Sequence, residues 1–135
     1  KWKLLYIMPS QCEQACENSL HLMQQIELAI GPEKMRLVPM IITPVSQTAE
    51  NNIARHNAAP TLALLATAPL EAIDLAFASF SATPSPSQAG HLYLADPLGN
   101  IFMYYPAILD RNVSILKGRD VIKDLKHAMK LSRIG

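Results

Sequence analysis

Residues 91–105 read HLYLADPLGNIFMYY, which is two short apolar runs on either side of a five-residue turn. The runs, 91–95 and 101–105, have the length and apolar character of β-strands. The turn 96–100 starts with Asp-Pro and places Gly99 where a left-handed residue follows a type I turn. This stretch predicts a β-hairpin, the clearest structural signal in the chain.

Upstream of the hairpin, strand patterns alternate with helix patterns. Residues 3–8 form an apolar run closed by Pro9, and residues 36–43 form a second run in which Pro39 indicates an edge or a bulge. Between them, residues 16–30 repeat apolar side chains at three- and four-residue spacing, as on one face of a helix, before a Gly-Pro pair ends it. This order predicts parallel strands joined by a helical crossover.

The other segments are assigned from composition and spacing. The polar stretch after the second strand has room for a short helix, and two further apolar faces have helical spacing. The assignments are a short helix within 48–56, an ambiguous apolar run at 61–66, a helix at 69–80, a loop at 81–90 and a final helix at 119–131.

These elements predict an α/β fold with a mixed central sheet. The first strands are parallel, the hairpin adds antiparallel strands, and helices cover both faces, which makes a three-layer α/β/α sandwich. A chain of 135 residues is long enough for one domain with a real core. Since no internal repeat or linker divides the chain, we expect a single domain over 1–135.

The composition limits the possible functions. Half of the residues are hydrophobic and 17% are charged, which excludes a disordered chain. A net charge of +1 does not indicate a nucleic-acid partner. No apolar stretch reaches the roughly 18 residues needed to cross a bilayer. Residues 117–135 hold six Lys and Arg against two acids, and this basic segment is expected to be a solvated face or, alternatively, to meet an anionic membrane surface or an acidic partner.

Cys12 and Cys16, the chain's two cysteines, lie between the first predicted strand and the first predicted helix. Ligands gather at the carboxyl ends of parallel strands, and the start of a helix favours the thiolate form of a cysteine. The thiolate is both the nucleophile of disulfide exchange and a ligand for soft metals. Because a spacing of four residues also permits a disulfide, a structural bridge and two inert thiols remain alternatives.

The surroundings of the pair predict modest thiol reactivity. We expect Cys12 to be the more exposed cysteine, because it precedes the helix, whereas Cys16 is held in its first turn. Glu13 and Glu17 disfavour the thiolate that the helix dipole favours, so the net pKa shift should be small. This favours metal binding, in which the ion itself drives deprotonation, over rapid disulfide exchange.

Two stretches carry a family resemblance. Residues 3–16, KLLYIMPSQCEQAC, and residues 92–100, LYLADPLGN, resemble the Sco proteins, which are membrane-anchored copper proteins of cytochrome c oxidase assembly with a thioredoxin fold. The chain is similar, more closely still, to small bacterial transmembrane proteins encoded with oxidase-assembly genes, which share an ending like residues 125–135, LKHAMKLSRIG. The resemblance implies a thioredoxin-like sandwich with a C-terminal hairpin and helix.

The same resemblance implies a function. It makes Cys12 and Cys16 the copper-binding pair, with copper as the bound metal and a respiratory oxidase subunit or its assembly factors as partner. It also implies an N-terminal membrane anchor preceding Lys1, in the bacterial inner membrane, with this domain facing the periplasm.

The histidine that supplies the third copper ligand in Sco proteins is displaced in this chain. It stands eight residues before the Asp of the hairpin turn in that family, and the corresponding position before Asp96 is Gln88. His91, three residues later, is therefore the candidate third ligand. Thioredoxin-like reductases carry a cis-proline immediately before the hairpin strand, where this chain has Ala89 and Gly90.

Two hypotheses follow for the function. The first is a membrane-tethered domain that binds Cu(I) at Cys12, Cys16 and His91, or cycles the cysteines between dithiol and disulfide. The alternative is a non-catalytic interaction module in which the cysteines form a structural disulfide. The remaining histidines are expected at the surface; they are His21, His56 and His127.

Overall fold

The structure of the protein is a computed structural model that describes residues 1–9, 11–43, 64–80 and 86–132. The helix predicted within 48–56 lies outside these residues. The strands are β1 (Trp2–Ile7), β2 (Leu37–Thr43), β3 (Leu64–Thr67), β4 (Leu92–Ala95) and β5 (Ile101–Tyr105). The helices are α1 (Gln14–Ala29), α2 (Leu70–Ala76), α3 (Pro86–Ala89) and α4 (Arg111–Leu131), with 3₁₀ turns at Gly31–Arg36 and Ala78–Phe80.

The five described strands form one mixed sheet in the order β3-β2-β1-β4-β5. β1, β2 and β3 are parallel, while β4 runs antiparallel to both β1 and β5. In the centre of the sheet, Leu5 of β1 pairs with Met40 of β2 on one side and with Tyr93 of β4 on the other. The predicted parallel strands and C-terminal hairpin are confirmed.

Helices cover both faces of the sheet, as predicted. α1 and α4 pack on one face, where Leu4, Leu94 and the helix residues Leu20 and Leu125 belong to the main core. α2 packs on the other face and forms a smaller core. The smaller core consists of Leu5, Ile7, Ile73, Phe77, Tyr93 and Ala95. Successive residues of the central strands therefore pack alternately in the cores on the two faces of the sheet.

α4 starts at Arg111, eight residues before the predicted start at residue 119. The carboxylate of Asp110 caps the helix by accepting a hydrogen bond from the Val113 N–H at 3.0 Å. Gly118 lies where α4 crosses α1, and a Cβ atom there would approach Leu22 Cδ1 to 2.7 Å. Gly118 therefore lies inside the helix, at the point where α4 and α1 approach closely.

Other boundaries also differ from the predictions. The ambiguous run at 61–66 overlaps β3, which pairs in parallel with β2 and so is a strand. The helix predicted at 69–80 is α2 followed by a 3₁₀ turn. Within the predicted loop 81–90, α3 forms one helical turn, where the backbone N–H of Ser87 donates to Asp74 at 2.9 Å. Pro39 lies in an inner strand and not at an edge, one residue before the described pairing with β3 begins at Met40.

Candidate functional site

The cysteine pair lies where the chain passes from β1 into α1. Cys12 comes two residues before the start of α1, and Cys16 lies in the first turn of that helix. The two residues form a disulfide with their Cα atoms 5.0 Å apart. The sequence therefore predicts the position and proximity of the two sulfurs correctly.

Both cysteines are more buried than the sequence indicates. Cys12 is 8% exposed and Cys16 is 4% exposed, and both belong to the main core beneath α1 and α4. Cys12 is the more exposed of the two, in line with the expectation. The disulfide is therefore part of the core and not a surface bridge.

A groove of about 330 Å³ opens beside the disulfide and gives access to it. Cys16 lines this groove, whereas Cys12 does not appear in its wall. The other lining residues are mostly small and come from three separate stretches: Pro9, Gln11, Glu13, Ala15, Ala89, Gly90 and Ala107. Of the two cysteines, Cys16 is the one that borders this groove.

Gly90 shapes the wall of the groove opposite α1. Its φ of +68° lies in the left-handed region that favours glycine. A Cβ atom at this position would lie 3.6 Å from Ala107 Cβ and 3.9 Å from the Tyr6 hydroxyl. The backbone conformation therefore favours glycine, while a Cβ atom would make only ordinary van der Waals contacts with these neighbours.

The charges around the pair act in opposite directions on a thiolate. The amides at the start of α1 favour negative charge. Glu13, at the N-cap position without a side-chain cap, and Glu17, in the first turn, place negative charge at the same end of the helix. A thiolate formed here on reduction is therefore stabilised by the helix and opposed by its acidic neighbours.

Asn18 connects the start of α1 to the segment between β5 and α4. Its side-chain amide donates to the carbonyl oxygens of Ile108 at 2.7 Å and Leu109 at 2.8 Å. Its oxygen accepts from Arg111 Nε at 2.6 Å and from Gln14 Nε2 at 2.9 Å. The residue is 1% exposed, and these four hydrogen bonds use the full capacity of the amide. Ala107, which lines the groove, directly precedes Ile108 and Leu109, whose carbonyl groups Asn18 binds. Asn18 therefore anchors this wall of the groove.

Replacing Asn18 with leucine is expected to destabilise the fold by about 2 kcal/mol, since two carbonyl groups lose their side-chain donor. The matched control is Gln14→Leu, which removes one of the four hydrogen bonds from an exposed residue and should cost less than about 1 kcal/mol. Urea unfolding of both variants measures the difference. Equal losses for the two variants would contradict the anchoring role of Asn18.

The structure does not bring His91 to the cysteines. Leu92 packs in the core that contains Cys12 and Cys16, while Tyr93 packs in the core on the other face of the sheet. His91 shares the face of Tyr93, and its ring stacks on Tyr104 with centroids 5.0 Å apart. Strand alternation thus carries the imidazole to the layer opposite the disulfide.

The other candidate ligands are also dispersed. Within the described residues, no three His, Cys, Asp or Glu side chains come together in a group that could hold a metal ion. His21 is partly exposed on α1 and His127 is exposed on α4, in agreement with their predicted surface positions, while His56 lies outside the described residues. The two sulfurs are therefore the soft ligands that the described site offers.

Burial lowers the pKa of His91, and its Nδ1 atom is buried without a hydrogen-bond partner. Because the unfolded imidazole titrates near pH 6.5, the unfolded chain binds more protons below that pH than the folded chain. We expect the free energy of unfolding to fall as the pH drops from about 7 to 5.5. The fall should be smaller in His91→Phe, and His127→Phe is the control that should keep the wild-type slope. Thermal unfolding across this range measures both, and identical slopes in all three proteins would contradict the assignment.

The described residues contain no helix that is both long and apolar enough to span a membrane.

No match was found among curated proteins. Copper-bound ScoI of Arabidopsis thaliana is 17% identical, with a TM-score of 0.62 over 94% of this chain and 85% of its own. BsSco, a member of the Sco family of cytochrome c oxidase assembly proteins described with a disulfide switch, is 16% identical, with a TM-score of 0.67 over 98% of this chain and 82% of its own.

Peroxiredoxin-type proteins share the same architecture. The bacterioferritin comigratory protein of Xanthomonas campestris, described with alkyl peroxide reduction activity, is 16% identical, with a TM-score of 0.59 over 93% of this chain and 77% of its own. At these identities the likeness establishes the thioredoxin-like fold. A family model described as "Transmembrane-like, thioredoxin-like, C-terminal domain" matches residues 2–132. The chain therefore belongs to the transmembrane-like, thioredoxin-like C-terminal domain family.

Proposed function

We propose that this domain is a redox-controlled Cu(I)-binding module that assists the assembly of cytochrome c oxidase. The observation that carries the proposal is the Cys12–Cys16 disulfide at the β1–α1 junction, next to a groove that reaches Cys16. The resemblance to Sco proteins and the similarity to copper-bound ScoI support copper as the metal. As a disulfide the pair cannot supply thiolates, so metal binding requires prior reduction.

The donor set fits a soft, monovalent ion. Cys12 and Cys16 would hold Cu(I) through two thiolate sulfurs, which are the ligand type that this ion prefers. His91 was the candidate third ligand, but its position on the opposite face supports a site made of two thiolates. Bound copper would be cargo for the oxidase, held at the groove where a partner can reach it.

Reduction follows the chemistry of thiol–disulfide exchange. The thiolate of an external dithiol attacks one sulfur of the disulfide, and the groove directs this attack to Cys16. The sulfur of Cys12 leaves as a thiolate, and a mixed disulfide forms at Cys16. The second thiol of the reductant then releases Cys16, so two electrons pass to the domain while the reductant becomes a disulfide.

The proposed setting is the periplasmic side of the bacterial inner membrane, with a membrane anchor outside residues 1–135. The disulfide supports an oxidising compartment, and the description of the family as transmembrane-like supports tethering. The proposed partner is a respiratory oxidase subunit or one of its assembly factors, because Sco proteins act in oxidase assembly.

The alternative function is a non-catalytic interaction module with a structural disulfide. The burial of both cysteines favours this alternative. The two functions differ in the reduction potential of the disulfide. Structural disulfides typically lie below about −300 mV, whereas regulatory and catalytic ones lie higher.

The test is the equilibrium of the intact chain with defined ratios of reduced and oxidised dithiothreitol, followed by alkylation of free thiols and mass measurement. We expect a reversible two-electron transition at a potential above about −300 mV. A lower potential, or a disulfide that is reduced only when the fold unfolds, would assign the cysteines to the structural alternative.

A further inference from the structure

The outward face of α4 carries a straight row of cations. Arg119, Lys123, Lys126 and Lys130 follow one another at four-, three- and four-residue spacing, so they lie on one side of the helix. All four are exposed. At the α-helical rise, the row is about 16 Å long.

The packing of α4 fixes the direction of this row. Val121, Leu125 and Met129 are buried in the main core, on the side of the helix opposite the cations. Positions 112 and 116, which extend the row toward the start of the helix, are Asn and Leu, so the row contains no carboxylate. The two acids of α4 lie to one side, and Asp124 accepts a hydrogen bond from the Tyr105 hydroxyl at 2.8 Å.

We propose that this row docks the domain on an anionic lipid surface. The charge distribution favours such a surface, because the chain before residue 117 has six basic and nine acidic residues and the excess positive charge is concentrated on α4. The row lies along one side of α4 and is built mainly of flexible lysines, which can each reach a phosphate in a flat layer of headgroups. Leu116, which is 57% exposed, lies in the same row, where its side chain can enter the headgroup region.

The strength of the contact defines its role. Each cation near an anionic membrane improves partitioning by about fivefold, so four cations give about 10²- to 10³-fold. That gain is too small for stable anchoring alone, which requires a second membrane signal. The row therefore orients a domain that is already near the membrane, with α4 toward the lipid. This inference does not depend on the chemistry of the cysteines.

Co-sedimentation of the chain with vesicles containing about 30 mol% phosphatidylglycerol in phosphatidylcholine tests the inference. At about 25 mM salt, we expect binding that falls at least about fivefold at 150 mM salt and is absent from pure phosphatidylcholine vesicles. The double variant Lys123→Glu and Lys126→Glu should lose at least about tenfold in partitioning. The matched control, Lys1→Glu and Lys34→Glu, changes the net charge equally at exposed positions outside α4 and should lose less than about threefold.

Three results would overturn the inference. The wild type could fail to bind anionic vesicles at low salt, or the two double variants could lose binding equally, which would mean that net charge alone acts. Binding to soluble poly-glutamate without binding to the vesicles would assign the row to an acidic protein partner instead.

Discussion

Replacing Cys16 with serine is expected to lower the Cu(I) affinity of the reduced protein by at least about a hundredfold, because a hydroxyl replaces one of two soft thiolate ligands. Cys12→Ser should have an effect of the same size. A competition titration against a Cu(I) chelator measures both. The comparison uses reduced wild type, which also lacks the disulfide, so the loss of the cross-link does not confound the result.

The matched control for the cysteine variants is His91→Ala. Because His91 lies on the opposite face of the sheet, its removal should leave Cu(I) affinity within about twofold of the wild type. A loss comparable to that of Cys16→Ser would restore His91 as a ligand and require the loop before β4 to rearrange. Unchanged affinity in both cysteine variants would remove copper from the proposed function.

A valine in place of Gly90 is expected to slow reduction of the disulfide by a protein dithiol at least about tenfold. The new side chain would stand in the wall of the groove, with its Cβ in van der Waals contact with Ala107 at 3.6 Å and its methyl groups adding bulk beside Cys16. The variant should also lose about 1–2 kcal/mol of stability, because φ at this position is +68°. Stopped-flow reduction with reduced thioredoxin, together with urea unfolding, measures both effects.

Gly31 provides the control for backbone strain. Its φ is +67°, and a Cβ atom there would meet nothing within 4 Å. Gly31→Val should therefore lose similar stability while its disulfide is reduced at the wild-type rate. If both valine variants slow reduction equally, destabilisation rather than the groove controls access to Cys16.

Elements with a strong local pattern could be predicted from the sequence. The hairpin at 91–105 has a turn whose chemistry is specific, and α1 has a regular apolar face that ends at a Gly-Pro pair. The run at 61–66, which overlaps β3, could not be assigned because a short apolar run fits a strand and a buried helix equally well. α4 begins at Arg111, upstream of the predicted start at 119, and the packing of Gly118 against Leu22 of α1 is a tertiary contact that the local sequence does not show.

The candidate site was predictable to a similar extent. The positions of Cys12 and Cys16 follow from local order along the chain. The face of the sheet on which His91 lies could not be predicted. His91 lies on the same face as Tyr93, and because Leu92 and Tyr93 are both apolar, either of them could have faced α1. Asn18 was missed because its partners Ile108, Leu109 and Arg111 lie about 90 residues away, and a single polar residue on a helix carries no signal of such contacts.

The most direct measurement of the central claim is a Cu(I) competition titration of the same protein in its reduced and disulfide forms. The account predicts that the reduced chain retains one Cu(I) against the chelator, and that the disulfide form retains none, because its sulfurs are not thiolates. Retention of copper by neither form, or equally by both, would contradict a redox-controlled copper site at Cys12 and Cys16.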